Sequence, residues 1–190
     1  MRQGALKQIL VSVDRSTRLV RQLLTLAKLD AGLEANPEEE VCLGEVLDAI
    51  INTTQQAIGA PRVTIAPALH AYRVCTNRDT LGIALRNLHE NAMQHTPENG
   101  EVTWAIASDG QGLVLEDEGP GIPPEELSLV SQRFFRGKYR TASGCGLGLA
   151  IVEAVLKQIG GRLILENRCG QPGLRAHIVF HAASPLRRKR

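Results

Sequence analysis

Three short polar segments, set in a particular order along the chain, constrain its fold more than any other feature. The first, Asn87-Leu88-His89-Glu90-Asn91, places two amides four residues apart, on one face of a helix. The second, Asp117-Glu118-Gly119-Pro120-Gly121, sets a carboxylate in a glycine turn after the apolar run Leu113-Val114-Leu115. The third, Gly144-Cys145-Gly146-Leu147-Gly148, is a glycine loop that opens a helix. A chain that uses all three together must bring a helix face, a strand end and a helix N-terminus to one place.

The chain is long enough for that. Its 190 residues suffice for one domain with a real core plus a smaller appendage. Hydrophobic residues make up 43% and charged residues 22%, the balance of a globular protein rather than a disordered one. The net charge of +2 includes Arg187, Arg188, Lys189 and Arg190, so the body without this tail is slightly acidic. That argues against a nucleic-acid partner, and the tail reads as a solvated end. Cys42, Cys75, Cys145 and Cys169 show no C-x-x-C spacing, which argues against zinc and a disulfide framework and fits a reducing compartment. No apolar run approaches the ~20 residues of a membrane helix, and Met1-Arg2-Gln3 leads into no signal-like segment. The expectation is a cytoplasmic piece.

Periodicity predicts one long helix over residues 5–34. Leu6, Val13, Val20 and Ala27 recur every seventh position, flanked by Leu10, Leu24 and Ala31. Such a stripe needs a partner, within the chain or from another copy. Gly32 and Asn36-Pro37 end the helix, and residues 37–42 read as a polar linker. A helix is expected from Leu43 to Ile58, a strand through Val63 and Ile65, and a helix N-capped by Asp79 that runs to about Thr96. Strands are expected at Thr103 to Ala107 and Leu113 to Glu116. Residues 119–146 read as irregular, with a short helix near Glu125 to Val130. A helix from Leu147 to Ile159 and a hairpin of Arg162 to Asn167 with Leu174 to His181 close the chain. Hairpins interleaved with helices predict an α+β layer rather than a doubly wound sheet.

On the helix that carries the amides, Leu81, Leu85, Leu88 and Ala92 fall on one side and Asn87, Asn91 and Gln94 on the other. An amide carbonyl is a hard oxygen ligand, and Mg²⁺ takes only one or two protein oxygens beside phosphate and water. Asp117 only accepts hydrogen bonds, so it suits an exocyclic amino group and selects adenine over guanine. No strand precedes Gly144-x-Gly146-x-Gly148 and no G-x-x-x-x-G-K-[ST] occurs, which excludes the dinucleotide fingerprint and the P-loop. What remains is a loop whose N–H groups meet phosphate at a helix N-terminus. Upstream, Arg133, Arg136, Lys138 and Arg140 interleave with Phe134 and Phe135, a segment suited to closing over a triphosphate with its rings anchored in the core. Alone, each segment reads as well as solvated asparagines, a surface turn or a mobile basic loop. Their order points to a nucleotide pocket.

Together these motifs resemble the ATP-binding catalytic domain of bacterial two-component sensor histidine kinases of the Bergerat type, in particular the QseC/PmrB-like group. Asn87-Leu88-His89-Glu90-Asn91-Ala92 is similar to the N box, Asp117-x-Gly119-x-Gly121 to the G1 box, Arg133-Phe134-Phe135-Arg136-Gly137 to the F box, and Gly144-Cys145-Gly146-Leu147-Gly148 with the residues after it to the G2 box. Residues 17–30 resemble the second helix of the dimerisation and phosphotransfer domain. The resemblance implies a two-layer α/β sandwich preceded by one long dimerisation helix. Its implied boundaries are 1–36 for that helix, 37–42 for the linker, 43–184 for the catalytic domain and 185–190 for the basic tail. It implies ATP and Mg²⁺ as ligands, with Asn87 and Asn91 on the metal and Asp117 on adenine. Gly119, Gly121 and Ile122 flank Asp117, and His95 packs against the base. Arg133, Phe134, Arg136, Ser143, Gly144, Gly146, Leu147 and Gly148 surround the phosphates, and Glu90 takes a supporting role. It further implies a cognate response regulator, a homodimeric parent anchored in the bacterial inner membrane, and a non-native dimer as one state of this fragment.

Two departures from the family pattern stand out. Gln94 occupies a place where many relatives carry Lys or Arg. None of the five histidines (His70, His89, His95, His177 and His181) has the phosphoacceptor context, so the resemblance implies a fragment that begins inside the kinase core. Two other readings share the pocket: a GHL-type ATP hydrolase and a non-catalytic nucleotide-binding module. The hydrolase needs a general-base Glu where this chain has Asn87, and Glu90 points roughly 100° away around the helix.

Overall fold

The computed structural model of the chain describes residues 2–31, 38–54, 60–137 and 145–180. Helix α1 (Arg2–Asp30) leads into strand β1 (Glu39–Cys42) and helix α2 (Leu43–Thr54). Strand β2 (Arg62–Ile65), a 3₁₀ turn at Pro67–His70, strand β3 (Arg73–Thr76) and helix α3 (Arg78–His95) follow. Strands β4 (Glu101–Ile106) and β5 (Gly112–Asp117), helix α4 (Gly148–Gln158), and strands β6 (Gly161–Asn167) and β7 (Leu174–Phe180) complete the order. None of the described helices is long and apolar enough to cross a membrane.

The main sheet has the order β2-β4-β5-β7-β6, parallel only between β2 and β4. Register decides its two faces. Trp104, Leu115 and Ala176 are cross-strand neighbours and are all buried beneath the helices. Neighbours on the other face are charged: Glu116 lies beside Arg175 and Arg175 beside Glu166, and both pairs form ion pairs. The alternation of period two therefore gives one helix-covered face and one open face, a two-layer α+β sandwich. Leu43, Leu47 and Ile50 of α2, Leu81, Leu85 and Leu88 of α3, and Ile151, Val155 and Leu156 of α4 fill the space between the layers.

Several local expectations are corrected. Residues 39–42, expected as part of the linker, form β1 and pair antiparallel with β3, a strand that was not anticipated. Val41 and Cys42 are buried there, and two apolar residues behind a run of glutamates are too short a signal to reveal it. Helix α3 is capped by Asn77 instead of Asp79: Asn77 Oδ1 accepts from Thr80 N at 2.8 Å. The short helix near Glu125 to Val130 is a series of turns, with Leu129 N on Glu126 O. The described part of the α1 heptad stripe does not face the domain. Val13, Val20 and Leu24 are more than half exposed, while Leu26 and Leu29, from another face of α1, enter the core.

Candidate functional site

Burial of Leu81, Leu85, Leu88 and Ala92 turns the opposite face of α3 outward, so Asn87, Glu90, Asn91, Gln94 and His95 line one pocket. Asn87 Nδ2 donates to Ile83 O one turn back at 2.8 Å, which orients the side chain and leaves its carbonyl oxygen for other partners. Asn91 makes no side-chain hydrogen bond among the described residues, so its amide is free to take a ligand. No group of three or more His, Cys, Asp or Glu among the described residues is arranged to hold a metal. The donor set is amide oxygen, which suits a hard cation completed by phosphate and water.

Asp117 ends β5 at the floor of the pocket and is 5% exposed. Its Oδ1 accepts from Gly119 N at 2.8 Å and from Leu174 N at 3.2 Å, and Oδ2 takes no described hydrogen bond. Burial raises the Asp117 pKa above the ordinary carboxylate value, and the two backbone N–H groups, His95 and Arg168 oppose that rise. His95 is shifted the other way: burial lowers its pKa, against the pull of Asp117. The pocket therefore holds a largely desolvated carboxylate beside an imidazole biased toward its neutral form. Gly119 stays behind Asp117, where a Cβ would meet Asp117 Oδ1 at 2.9 Å and His95 O at 3.0 Å. Gly121 needs its freedom, with φ +72° and Asn167 Oδ1 only 2.7 Å from where a Cβ would sit.

The far wall is built from the two arginine- and glycine-rich segments. Gly146 adopts φ +72°, and its carbonyl accepts from Phe134 N at 2.8 Å, which joins the loop before α4 to the Arg133–Gly137 stretch. Arg136, Gly137, Gly146 and Gly148 line the pocket, with Gly121 and Ile122 opposite. Leu147 does not line the pocket, and its side chain is fully buried in the core. Phe134 was expected to anchor in the core and does not: it is 60% exposed with a left-handed φ of 66°, and its N–H is bonded to Gly146 O. Arg133 does not line the pocket, and binds Asp30 of α1 through both carboxylate oxygens at 2.8 and 2.9 Å. Ser143, Gly144, Lys138 and Arg140 lie outside the described residues.

Several contributors were not anticipated, four of them from distant parts of the chain. Asn167 holds the turn after Asp117, Leu174 N supports Asp117 itself, and Arg18 and Gln22 of α1 form part of the rim. The first two are fixed by sheet order and the last two by helix docking, neither of which a local sequence window carries.

Residues 76–184, more than half of the chain, match the family described as histidine kinase-, DNA gyrase B-, and HSP90-like ATPase. The chain belongs to this ATPase family. Within the family, it is 36% identical over 184 residues to the sensor protein QseC of Escherichia coli (strain K12), covering 94% of this chain and 40% of that protein. It is 33% identical over 179 residues to the signal transduction histidine-protein kinase/phosphatase MprB of Mycolicibacterium vanbaalenii, covering 90% and 36%. The solved mycobacterial sensor histidine kinase MprB superimposes with a TM-score of 0.64 at 35% identity, over 75% of this chain and 97% of that one. Sequence and fold are thus those of the ATP-binding catalytic domain of sensor histidine kinases, and the GHL-type hydrolase reading is not favoured. The chain spans well under half the length of these curated relatives.

Proposed function

We propose that this chain is the catalytic region of a two-component sensor histidine kinase that binds Mg-ATP and presents the γ-phosphoryl group to a histidine outside these 190 residues. The observation that carries the reading is the shared pocket of Asp117, Asn87 and Asn91 with the glycine loop before α4. Asp117 Oδ2 accepts from the adenine amino group, while Oδ1 stays tied to Gly119 and Leu174. His95 packs beside the base. The side-chain oxygens of Asn87 and Asn91 hold the cation, which neutralises phosphate charge when bound. Arg136 and the N–H groups opening α4 take the phosphate oxygens. Gln94 is neutral, so no cation reaches the phosphates from that position.

Phosphoryl transfer asks little covalent work of the protein, so these residues act by positioning and charge stabilisation. Among the described residues, no histidine is suited to be the acceptor. His89 is buried against Thr54, His70 is bound to Asp48 and His177 to Glu166. Asn87 stands where a hydrolase would carry its base, which favours transfer over hydrolysis. The parent is read as a homodimer anchored in the inner membrane that passes phosphate to a response regulator, with the exposed stripe of α1 as part of its dimer seam.

Titration calorimetry with ATP and GTP analogues, with and without Mg²⁺, tests the pocket. ATP analogue binding, strengthened by Mg²⁺ and weakened by roughly ten- to a hundredfold in Asp117→Ala, is expected. Equal affinity for GTP would overturn the assignment of Asp117. Incubation with labelled ATP and a separate phosphoacceptor domain tests transfer: acid-labile phosphate on that domain supports the reading, and its appearance on this chain contradicts it.

A further inference from the structure

We propose that the C-terminal half of α1 is a latch on the nucleotide pocket, in which Gln22 competes with the metal for the Asn87 oxygen. The inference rests on the reading of Asn87 as a metal ligand. Gln22 Nε2 donates to Asn87 Oδ1 at 3.2 Å, and Gln22 Oε1 accepts from the Cys145 thiol at 2.6 Å. One side chain therefore bridges the amide face of α3 and the glycine loop before α4, the two walls between which phosphate and cation belong. Asn87 cannot easily turn its oxygen elsewhere, because its Nδ2 is held by Ile83 O.

The contact competes with metal binding on chemical grounds, because Gln22 Nε2 takes one of the two lone pairs of Asn87 Oδ1 and fixes a positive N–H end beside the other. A cation at the ~2.0–2.1 Å typical of Mg²⁺ would meet an N–H whose positive end already points at the same oxygen. A glutamine amide is neutral and brings no charge to compensate.

The surrounding contacts make docking specific but reversible. Arg18, one turn before Gln22, reaches Glu90 at 3.9 Å, and Asp30 grips Arg133 at 2.8 Å two turns beyond. Arg18, Gln22, Leu26 and Leu29 recur at intervals of four, four and three, which is one helical stripe. Leu26 and Leu29 anchor that stripe in the core, while the polar pairs lie at solvent-exposed positions where ion pairs hold weakly. Binding of metal-nucleotide and docking of α1 thus oppose each other, and a shift in α1 docking changes the affinity of the pocket.

The test measures the affinity of the whole chain for AMP-PNP in Mg²⁺ and in EDTA, for the parent sequence, Gln22→Met and Asp30→Asn. Gln22→Met is expected to tighten binding by about two- to tenfold in Mg²⁺, with little change in EDTA. Asp30→Asn, remote from the pocket, is expected to tighten it by about two- to threefold through looser docking. Unchanged or weaker binding by both variants in Mg²⁺, or the same tightening with and without the metal, would overturn the latch. Failure of the metal reading itself looks different: the parent chain would then bind AMP-PNP equally well in Mg²⁺ and EDTA.

Discussion

Asn167 clamps the backbone of Ile122 at both ends of its peptide groups, with Ile122 N donating to its Oδ1 at 2.8 Å and its Nδ2 donating to Ile122 O at 2.7 Å. The last residue of β6 thereby sets the turn that follows Asp117. Truncation to alanine removes two hydrogen bonds at an exposed site, so stability should fall by only about 1–2 kcal/mol. The larger effect is expected on the pocket. Asn167→Ala should weaken ATP analogue binding severalfold, measured by calorimetry, while the melting temperature moves by a few degrees.

Gly121 tests the same turn from the other side. Its φ of +72° and the 2.7 Å approach of Asn167 Oδ1 leave no room for a methyl group. Gly121→Ala should lower stability by about 1–2 kcal/mol and reduce nucleotide affinity more than Asn167→Ala does. Urea unfolding followed by the fluorescence of Trp104, the one tryptophan of the chain, reports the first effect.

Gly146→Ala should separate the two segments of the far wall. A Cβ there would lie 2.5 Å from Phe135 O, so the Phe134 N to Gly146 O bond must break. Loss of affinity should be greater for ATP than for adenosine, because the disturbance falls on the phosphate end. Comparing the two ligands by calorimetry checks this.

The pH dependence of binding should follow Asp117. Burial raises its pKa, and only the ionised form accepts from an amino group with both oxygens. Affinity should be full at neutral pH and decline on acidification, beginning above the pH at which an ordinary carboxylate titrates. Asp117→Asn should bind weakly with a flatter profile. An affinity of the parent chain that shows no decline before the ordinary carboxylate range is reached would contradict the assignment.

The pH dependence of stability should follow His89 over a different window. Its ring is fully buried, Nε2 meets Thr54 Oγ1 at 3.0 Å, and Nδ1 has no partner. Burial, aided by Arg86, lowers its pKa to about 4. The unfolded chain protonates near pH 6.5 while the folded chain stays neutral, so stability is present above that pH. It should fall as pH drops from 6.5 toward 4, by up to about 3 kcal/mol from this group. Urea midpoints at successive pH values should show that slope, and His89→Leu should flatten it.

By itself the sequence determined which polar residues and glycines would share one pocket, and most of the elements. The amides of α3, the carboxylate at the end of β5 and the glycines opening α4 were legible because each acts through its immediate neighbours. An apolar stripe orients Asn87 and Asn91, and a strand delivers Asp117 into a glycine turn. The tertiary structure decided the rest. Asn167, Leu174 and Gln22 reach the site from 45, 57 and 65 residues away, across contacts created by sheet order and helix docking. Strand β1 exists because β3 offers it an edge, not because its own residues are strongly β-forming. The heptad of α1 was visible, yet another stripe carries Leu26 and Leu29 into the core. Periodicity reports that a face is apolar. Only the competition among neighbouring surfaces in the folded chain settles which face is covered, and by what.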